Sequence, residues 1–337
     1  MTPTLWRALL LSLLLSVAGV LVVALWLGEP GDLRALSRLS LPDLSVALLL
    51  LVTSLFAGGA RLRILVSMVG ERVNLWRATR AFVLGLFAAA VTPSGGGNAP
   101  AIGLSLIRDG VRSSAAWSVT IYSSIADLLF FAWSIPVASL VLYRTDGLLS
   151  FRLFWLSLLV SVASLVLWYL LAFELGRATR LSGKLFSLPG LRRWRKRVMR
   201  SLADVGTATA QVTDSHLGLH LLLQLLTALL HLLLYAIFYV IATSLGAQVA
   251  LPVSLAILLL VSVTSYFVPT PGASGYLELA MSFAFARQLP SALLTATVVG
   301  YRALSYYAAI LLGGLLGGAV LTKEIARRTQ TGEAVPE

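Results

Sequence analysis

Cysteine is absent from the 337 residues, and only 12% of them carry a charged side chain, about half the share found in a soluble domain. The first absence removes disulfide frameworks, thiolate metal sites and cysteine nucleophiles together. The second, with 58% hydrophobic residues and a mean hydropathy of +0.90, excludes a water-soluble globule. Histidine is also scarce: His216, His220 and His231 are the three present. His216 and His220 stand alone near the edge of an apolar run, so no metal centre and no cofactor are expected. Acid is short relative to base, 14 against 26, for a net charge of +12. In a soluble protein that excess would suggest nucleic acid, but in an apolar chain it reads first as a topology signal.

Apolar sequence, by contrast, is present in long runs. Ala8–Leu27, after Arg7, has spanning length and exceeds a signal-peptide core, so it is expected to be a retained first span. Val46–Gly59 with its flanks, Ser114–Leu142, Leu153–Phe173, Leu217–Leu245 and Ser291–Leu321 supply five more. Placing Arg7 in the cytoplasm puts Arg61, Arg63, Arg72, Arg77, Arg80, Arg108, Arg112, the basic run from Arg177 to Arg200, Lys323, Arg327 and Arg328 on that side. Only Arg34, Arg38, Arg144, Arg152 and Arg287 fall outside, and Arg302 is left within the last span, the sole basic residue expected within a full span. This bias predicts a multi-pass inner-membrane protein with both termini cytoplasmic. In the cytoplasmic basic segment 175–215, Leu191, Trp194, Val198 and Leu202 share one helical face. That stretch is either an interfacial helix on anionic headgroups or a solvated loop serving topology alone.

Two apolar segments are broken. Ala81–Val91 runs into Thr92-Pro93-Ser94-Gly95-Gly96-Gly97-Asn98-Ala99-Pro100, and Leu251–Val268 runs into Pro269-Thr270-Pro271-Gly272-Ala273-Ser274-Gly275. The apolar stretches after these breaks, Ala101–Ile107 and Tyr276–Ala286, are too short to cross a ~30 Å core at about 1.5 Å per residue. Each pair is therefore expected to fold back as a re-entrant hairpin. The order repeats: half-helix, Thr-Pro and Gly-rich turn, half-helix, Arg-bearing end (Arg108 or Arg287), long span. The charge bias places the two hairpins on opposite sides. The predicted fold is an all-α polytopic membrane protein, six full transmembrane helices plus two re-entrant helical hairpins in an inverted repeat, with repeats at about 76–142 and 250–321 in a single transmembrane domain 1–337.

A Gly-rich break inside a membrane presents the start of its second half-helix, whose unpaired N–H groups favour an anion. Asn98 with Pro100 just inside, and Gly275 with Glu278 three residues on, read as helix starts. Thr92, Pro93, Ser94, Gly95, Gly97 and Asn98, with Thr270, Pro271, Gly272, Ser274 and Gly275, are therefore candidate substrate contacts; the plainer alternative is a hinge. Arg302 would cost about 2.5–3.5 kcal/mol uncompensated. Its candidate partners are Glu278, Asp127 or a substrate phosphate, with Thr295, Ser305 and Tyr306 on the same face; the alternative is a structural lock. Thr120, Ser124, Asp127 and Ser134 form one polar stripe, and His220, Gln224, Thr227, His231, Tyr235 and Tyr239 another, both expected to face a wet interior. For His231 the choices are an inter-helix hydrogen bond or a proton relay.

The second turn, Phe267-Val268-Pro269-Thr270-Pro271-Gly272-Ala273-Ser274-Gly275-Tyr276-Leu277-Glu278, followed by Tyr301-Arg302-Ala303-Leu304-Ser305-Tyr306-Tyr307, resembles the lysylphosphatidylglycerol synthase transmembrane-region family, also described as flippase-like. The family pattern is Pro-Thr-Pro-Gly-x-Ser-Gly-x-x-Glu and Arg-x-x-x-Tyr-Tyr, and the first turn resembles its Thr-Pro-Ser-Gly-x-Gly. Asp127 falls where relatives commonly carry an acid, Asn98 where many have Glu, and Ser123 and Ser124 in a region often bearing Arg. The resemblance covers nearly the whole chain and implies a lipid-translocating unit. Aminoacyl transfer is not expected, since no synthase domain precedes the end at Glu337.

The expected function is thus a lipid transporter or flippase for a phospholipid or phosphorylated lipid-linked substrate. Its partners would be membrane lipids of anionic phospholipid or polyprenyl-phosphate type, not nucleic acid, and a homo-oligomer is compatible. The alternatives are a membrane enzyme acting on a lipid-linked substrate and an ion-coupled carrier of a small anion. Asp127 and Glu278 are the only intramembrane acids, and no nucleophile–base motif accompanies them, which argues against an enzyme.

Overall fold

The computed structural model describes residues 32–145 and 215–317, with 155–159, 161–163, 166 and 212 between them. The predicted span Ala8–Leu27, most of Leu153–Phe173 and of the basic segment 175–215, including its amphipathic stretch, and the tail beyond Gly317 lie outside the described residues. The described chain is helical, and four helices are long and apolar enough to cross a membrane: Leu41–Met68, Ser113–Arg144, Leu217–Ser244 and Ser291–Gly317. These match four of the predicted runs.

After a short 3-10 turn at Asp32–Arg38, α1 (Leu41–Met68) opens on a reciprocal cap. The Ser40 hydroxyl accepts from the Asp43 N–H, and the Asp43 carboxylate accepts from the Ser40 N–H. Two first-turn donors are thereby satisfied. The next helix, α2 (Leu75–Val91), starts at Asn74, whose Oδ1 accepts the Arg77 N–H at 2.8 Å. It begins earlier than the apolar run Ala81–Val91 because the cap, not hydrophobicity, sets a helix start. The turn of residues 92–97 leads to α3 (Asn98–Arg108). Arg80 near the start of α2 pairs with Asp109 just past α3, closing the base of this hairpin. The long α4 (Ser113–Arg144) comes next.

The second described half runs through the same order. α5 (Leu217–Ser244) is a long helix like α1, and α6 (Leu251–Ser265) leads through a second turn to α7 (Tyr276–Phe285). Then α8 (Ser291–Arg302) continues through a π-helical stretch, Ala303–Tyr307, to Gly317. A single offset relates Thr92 to Thr270, the helix starts Asn98 and Tyr276, and the helix starts Ser113 and Ser291. The hairpin helices have 17 and 11 residues in the first half and 15 and 10 in the second. At about 1.5 Å per residue each falls short of a ~30 Å hydrocarbon core.

Close packing holds the first hairpin to the rest. A Cβ at Gly59 of α1 would lie 2.0 Å from the Thr79 hydroxyl and 2.6 Å from its Cα, so α1 and α2 meet backbone to backbone, as small residues permit between membrane helices. From the other half, Gly313 leaves room for Phe87, whose Cβ a side chain there would approach to 2.3 Å. The outward faces carry Leu41, Leu49, Trp133, Val137, Leu221, Leu225, Leu311 and Leu315, all well exposed. In water such a belt would aggregate; in hydrocarbon it is matched to its solvent.

Two expectations need correction. Asn98 does not cap α3: the N-cap is Gly97, without a side-chain cap bond, and Asn98 is the first helical residue. The Thr92 hydroxyl accepts the Gly97 N–H at 2.8 Å, satisfying a donor that an Asn98 cap could not reach. Nor is Arg302 the sole basic residue in a full span, since Arg61 and Arg63 lie in α1, and Arg61 is buried.

Candidate functional site: two hairpin tips and two buried ion pairs

Each turn carries two consecutive residues with left-handed backbone. In the first they are Ser94 (φ 50°) and Gly95 (φ 68°), and in the second the equivalent Gly272 (φ 58°) and Ala273 (φ 51°). One of each pair is not glycine, a conformation that costs an L-residue roughly 1–2 kcal/mol and persists only where surroundings enforce it. The surroundings are the opposite turn. Pro93 and Pro271 pair as an isolated antiparallel bridge, and the Ser94 hydroxyl donates to the Val268 carbonyl at 3.3 Å. Equivalent residues thus face each other, and the two hairpins meet tip to tip.

Behind the second tip lies the first ion pair. Arg302 Nε donates to Glu278 Oε1 at 2.9 Å, and Glu278 Oε2 accepts the Gly275 N–H at 2.8 Å. Arg302 Nη2 reaches the Gly272 carbonyl and the Ser274 hydroxyl, each at 3.5 Å. Glu278 is fully buried and Arg302 is 4% exposed, so each ion depends on the other for neutrality. Of the three candidate partners for Arg302, the structure selects Glu278 and not Asp127. Glu278 also fills the anion position at the start of α7, whereas the first turn of α3 contains no acid.

Tyr306 ties this cluster to the first hairpin. Its ring lies under the Arg302 guanidinium, 4.1 Å from carbon to centroid, a cation–π contact. Its hydroxyl accepts from Ser274 and donates to the Ala90 carbonyl at the end of α2, both at 3.2 Å. The fit is close, since a Cβ on Gly272 would meet the Tyr306 ring at 2.3 Å. A cavity of about 140 Å³ opens beside Arg302, lined also by Tyr235, Ser262, Tyr301 and Ser305. Thr295, expected on the same face, is buried, and its hydroxyl has no partner among the described residues.

Asp127 belongs to a second cluster. Both Arg61 terminal nitrogens donate to its carboxylate, and Arg61 Nη2 also donates to Ser123 Oγ at 2.7 Å. His231 Nε2 lies 3.1 Å from the same Asp127 Oδ1, with its ring stacked on Phe130 at 4.8 Å and 7°. Gln224 donates to the Ala126 carbonyl, so part of the α5 stripe does face α4. Thr120 and Ser124 instead bond carbonyls of their own helix, and Ser124 is exposed. Among the described residues no group of three or more His, Asp or Glu gathers into a metal site.

Sequence pattern does not single out Arg61, because it stands just past an apolar run and reads as a flanking topology charge. The available signal is that apolar residues resume after it at Leu62, Ile64, Leu65 and Val66.

The description "Lysylphosphatidylglycerol synthase TM region" matches residues 6–313 of this chain. The chain belongs to that family. No curated protein matches it. Membership makes this a multi-pass membrane protein of a lipid-related family, and the tip-to-tip hairpins are built on the residues that carry the family resemblance. It also gives a physical reading of Ser123 and Ser124, which stand where the resemblance often places Arg. In this member of the lysylphosphatidylglycerol synthase TM-region family a guanidinium reaches Ser123 from α1 instead.

Proposed function

We propose that the protein moves a phospholipid or another phosphorylated lipid across the inner membrane by alternating access, with the two hairpins as the barrier. The observation that carries this reading is the tip-to-tip junction: Pro93 against Pro271, Ser94 on Val268 and Tyr306 on Ala90. Segments too short to span, meeting end to end between full-length helices, are what a re-entrant barrier requires. Equivalent prolines facing each other in antiparallel fashion support a two-fold, inverted relation between the halves. Together with the charge bias this supports six spans and cytoplasmic termini. The Arg302–Glu278 pair acts as the lock that holds the second tip. The start of α3, without an acid of its own, is the helix end left for a headgroup phosphate. The acyl tails remain in the bilayer against the apolar belt.

The test uses the absence of native cysteine. Ser94→Cys with Val268→Cys, joined by a short bifunctional thiol reagent, ties the tips together. In vesicles containing fluorescent phosphatidylglycerol, cross-linking should stop lipid movement and a reducible linker should restore it. Movement at equal rates in the cross-linked and free protein would remove the hairpins from the path.

A further inference from the structure

The two buried ion pairs differ in a way that assigns them different work. Glu278 is committed on both oxygens, one to Arg302 and one to the Gly275 N–H. Asp127 is likewise held on both oxygens by Arg61, but its Oδ1 is shared with a second side chain that can become a cation, His231. Its side chain is also 24% exposed, while that of Arg61 is 3% exposed. Arg61 Nε is buried without a partner among the described residues, a donor on a fixed fork that the carboxylate does not use.

The geometry points to a proton-linked anion site at Arg61, Asp127 and His231, in which a lipid phosphate takes the Arg61 guanidinium and His231, gaining one proton, takes over Asp127. This rests on the lipid-transport reading above. The charges balance at each stage. Before binding, Arg61 and Asp127 neutralise each other beside a neutral imidazole. Afterwards the singly charged phosphate faces Arg61 and the imidazolium faces Asp127, the added proton having come from water. Without that proton Asp127 would be left as an uncompensated carboxylate in a low-dielectric interior, which is costly. Imidazole, with an ordinary pKa near 6.5, is the side chain suited to supply the charge at neutral pH.

The groups facing Asp127 make His231 the one available for this exchange. From α1 comes Arg61, which cannot release its proton; from α5 come His231 and Tyr235; and Tyr266, beyond the end of α6, stands near through Phe131. α6 itself has no charged residue, and the charge of α3 is Arg108 at its far end. The rings also mark a route. His231 lies 6.0 Å from Tyr235, one turn along α5, and Tyr235 lines the cavity beside Arg302. Phe131 touches both His231 and Tyr266, next to the second turn. The exchange site is therefore joined to that cavity through Tyr235 and to the second turn through Phe131 and Tyr266.

The experiment counts protons as well as lipid. Purified protein in weakly buffered detergent near pH 7.5, about one unit above the ordinary imidazole pKa, receives dihexanoyl-phosphatidylglycerol. Binding is followed calorimetrically and proton uptake with a pH-sensitive dye. The wild type should take up close to one proton per lipid bound, and His231→Gln, which keeps a hydrogen-bonding side chain, should take up none per lipid bound. Repeating the calorimetry in buffers of different ionisation enthalpy gives the wild-type proton count a second time and needs no variant. Lipid binding by the wild type with no proton uptake, or equal uptake by His231→Gln, overturns the exchange while leaving the transport reading intact. No binding of the lipid, together with no lipid movement in vesicles, overturns both.

Discussion

Changing Glu278 to Gln tests the lock most directly, because glutamine keeps the shape and an oxygen for the Gly275 N–H while deleting the charge. Arg302, 4% exposed, is then left without its counter-ion, and breaking a buried pair in this way costs about 3–5 kcal/mol. Arg302→Gln should cost a comparable amount by stranding a fully buried carboxylate and also removes the cation from the Tyr306 ring. With both changes together neither ion is stranded. The double variant should therefore be more stable than the sum of the single changes implies, with a coupling of about 2–3 kcal/mol. The assay is equilibrium unfolding in mixed detergent micelles, paired with lipid movement in vesicles. Single changes that each cost under about 1 kcal/mol and add within about 0.5 kcal/mol would refute the buried lock. Transport supplies the second criterion: a lock predicts that the double variant regains movement. A well-folded double variant that stays inactive would give Arg302 a direct hold on the substrate phosphate instead.

Two further outcomes are expected. Gly272→Ala should slow or stop transport and destabilise the protein by about 1–3 kcal/mol, because φ is +58° and the new Cβ meets Tyr306 at 2.3 Å. Gly96→Ala, whose nearest neighbour would be 3.4 Å away, should be tolerated, and equal effects of the two would mean that the turn geometry plays no part in transport. For topology, single cysteines at Ser182 and Ser150 should react with an impermeant thiol reagent from the cytoplasmic and external sides respectively, and the reverse labelling would contradict the charge-based orientation.

The hairpins are legible in the sequence because Pro and Gly interrupt apolar runs at Thr92–Pro100 and Pro269–Gly275, and no continuous helix accommodates those breaks. Glu278 and Arg302 are legible as possible partners because an ion in an apolar run must find one. Arg61 is not, because burial at the end of a run is decided by what packs there, namely α4 through Ser123 and Asp127. Sequence position alone cannot separate Arg61 from the exposed Arg63 two residues on. Asn98 misleads for a related reason: cap preference is local, but the Gly97 N–H is satisfied by Thr92 across the turn. The meeting of the two tips, contacts between residues far apart in the chain, leaves no mark that spacing could reveal.

The π-helical stretch Ala303–Tyr307 has a consequence for helical phase. An added residue in a turn rotates everything downstream by about 100°. Before the stretch, α8 presents Arg302 to Glu278 in the second hairpin; beyond it, the same helix presents Gly313 to Phe87 in the first. A uniform α-helix of this sequence with Arg302 on Glu278 would point Gly313 away from Phe87. The widened turn therefore brings both hairpins into register with a single rod, and because it carries Tyr306, which touches Gly272 and Ser274 of one hairpin and Ala90 of the other, any change in its winding would be felt at both tips at once.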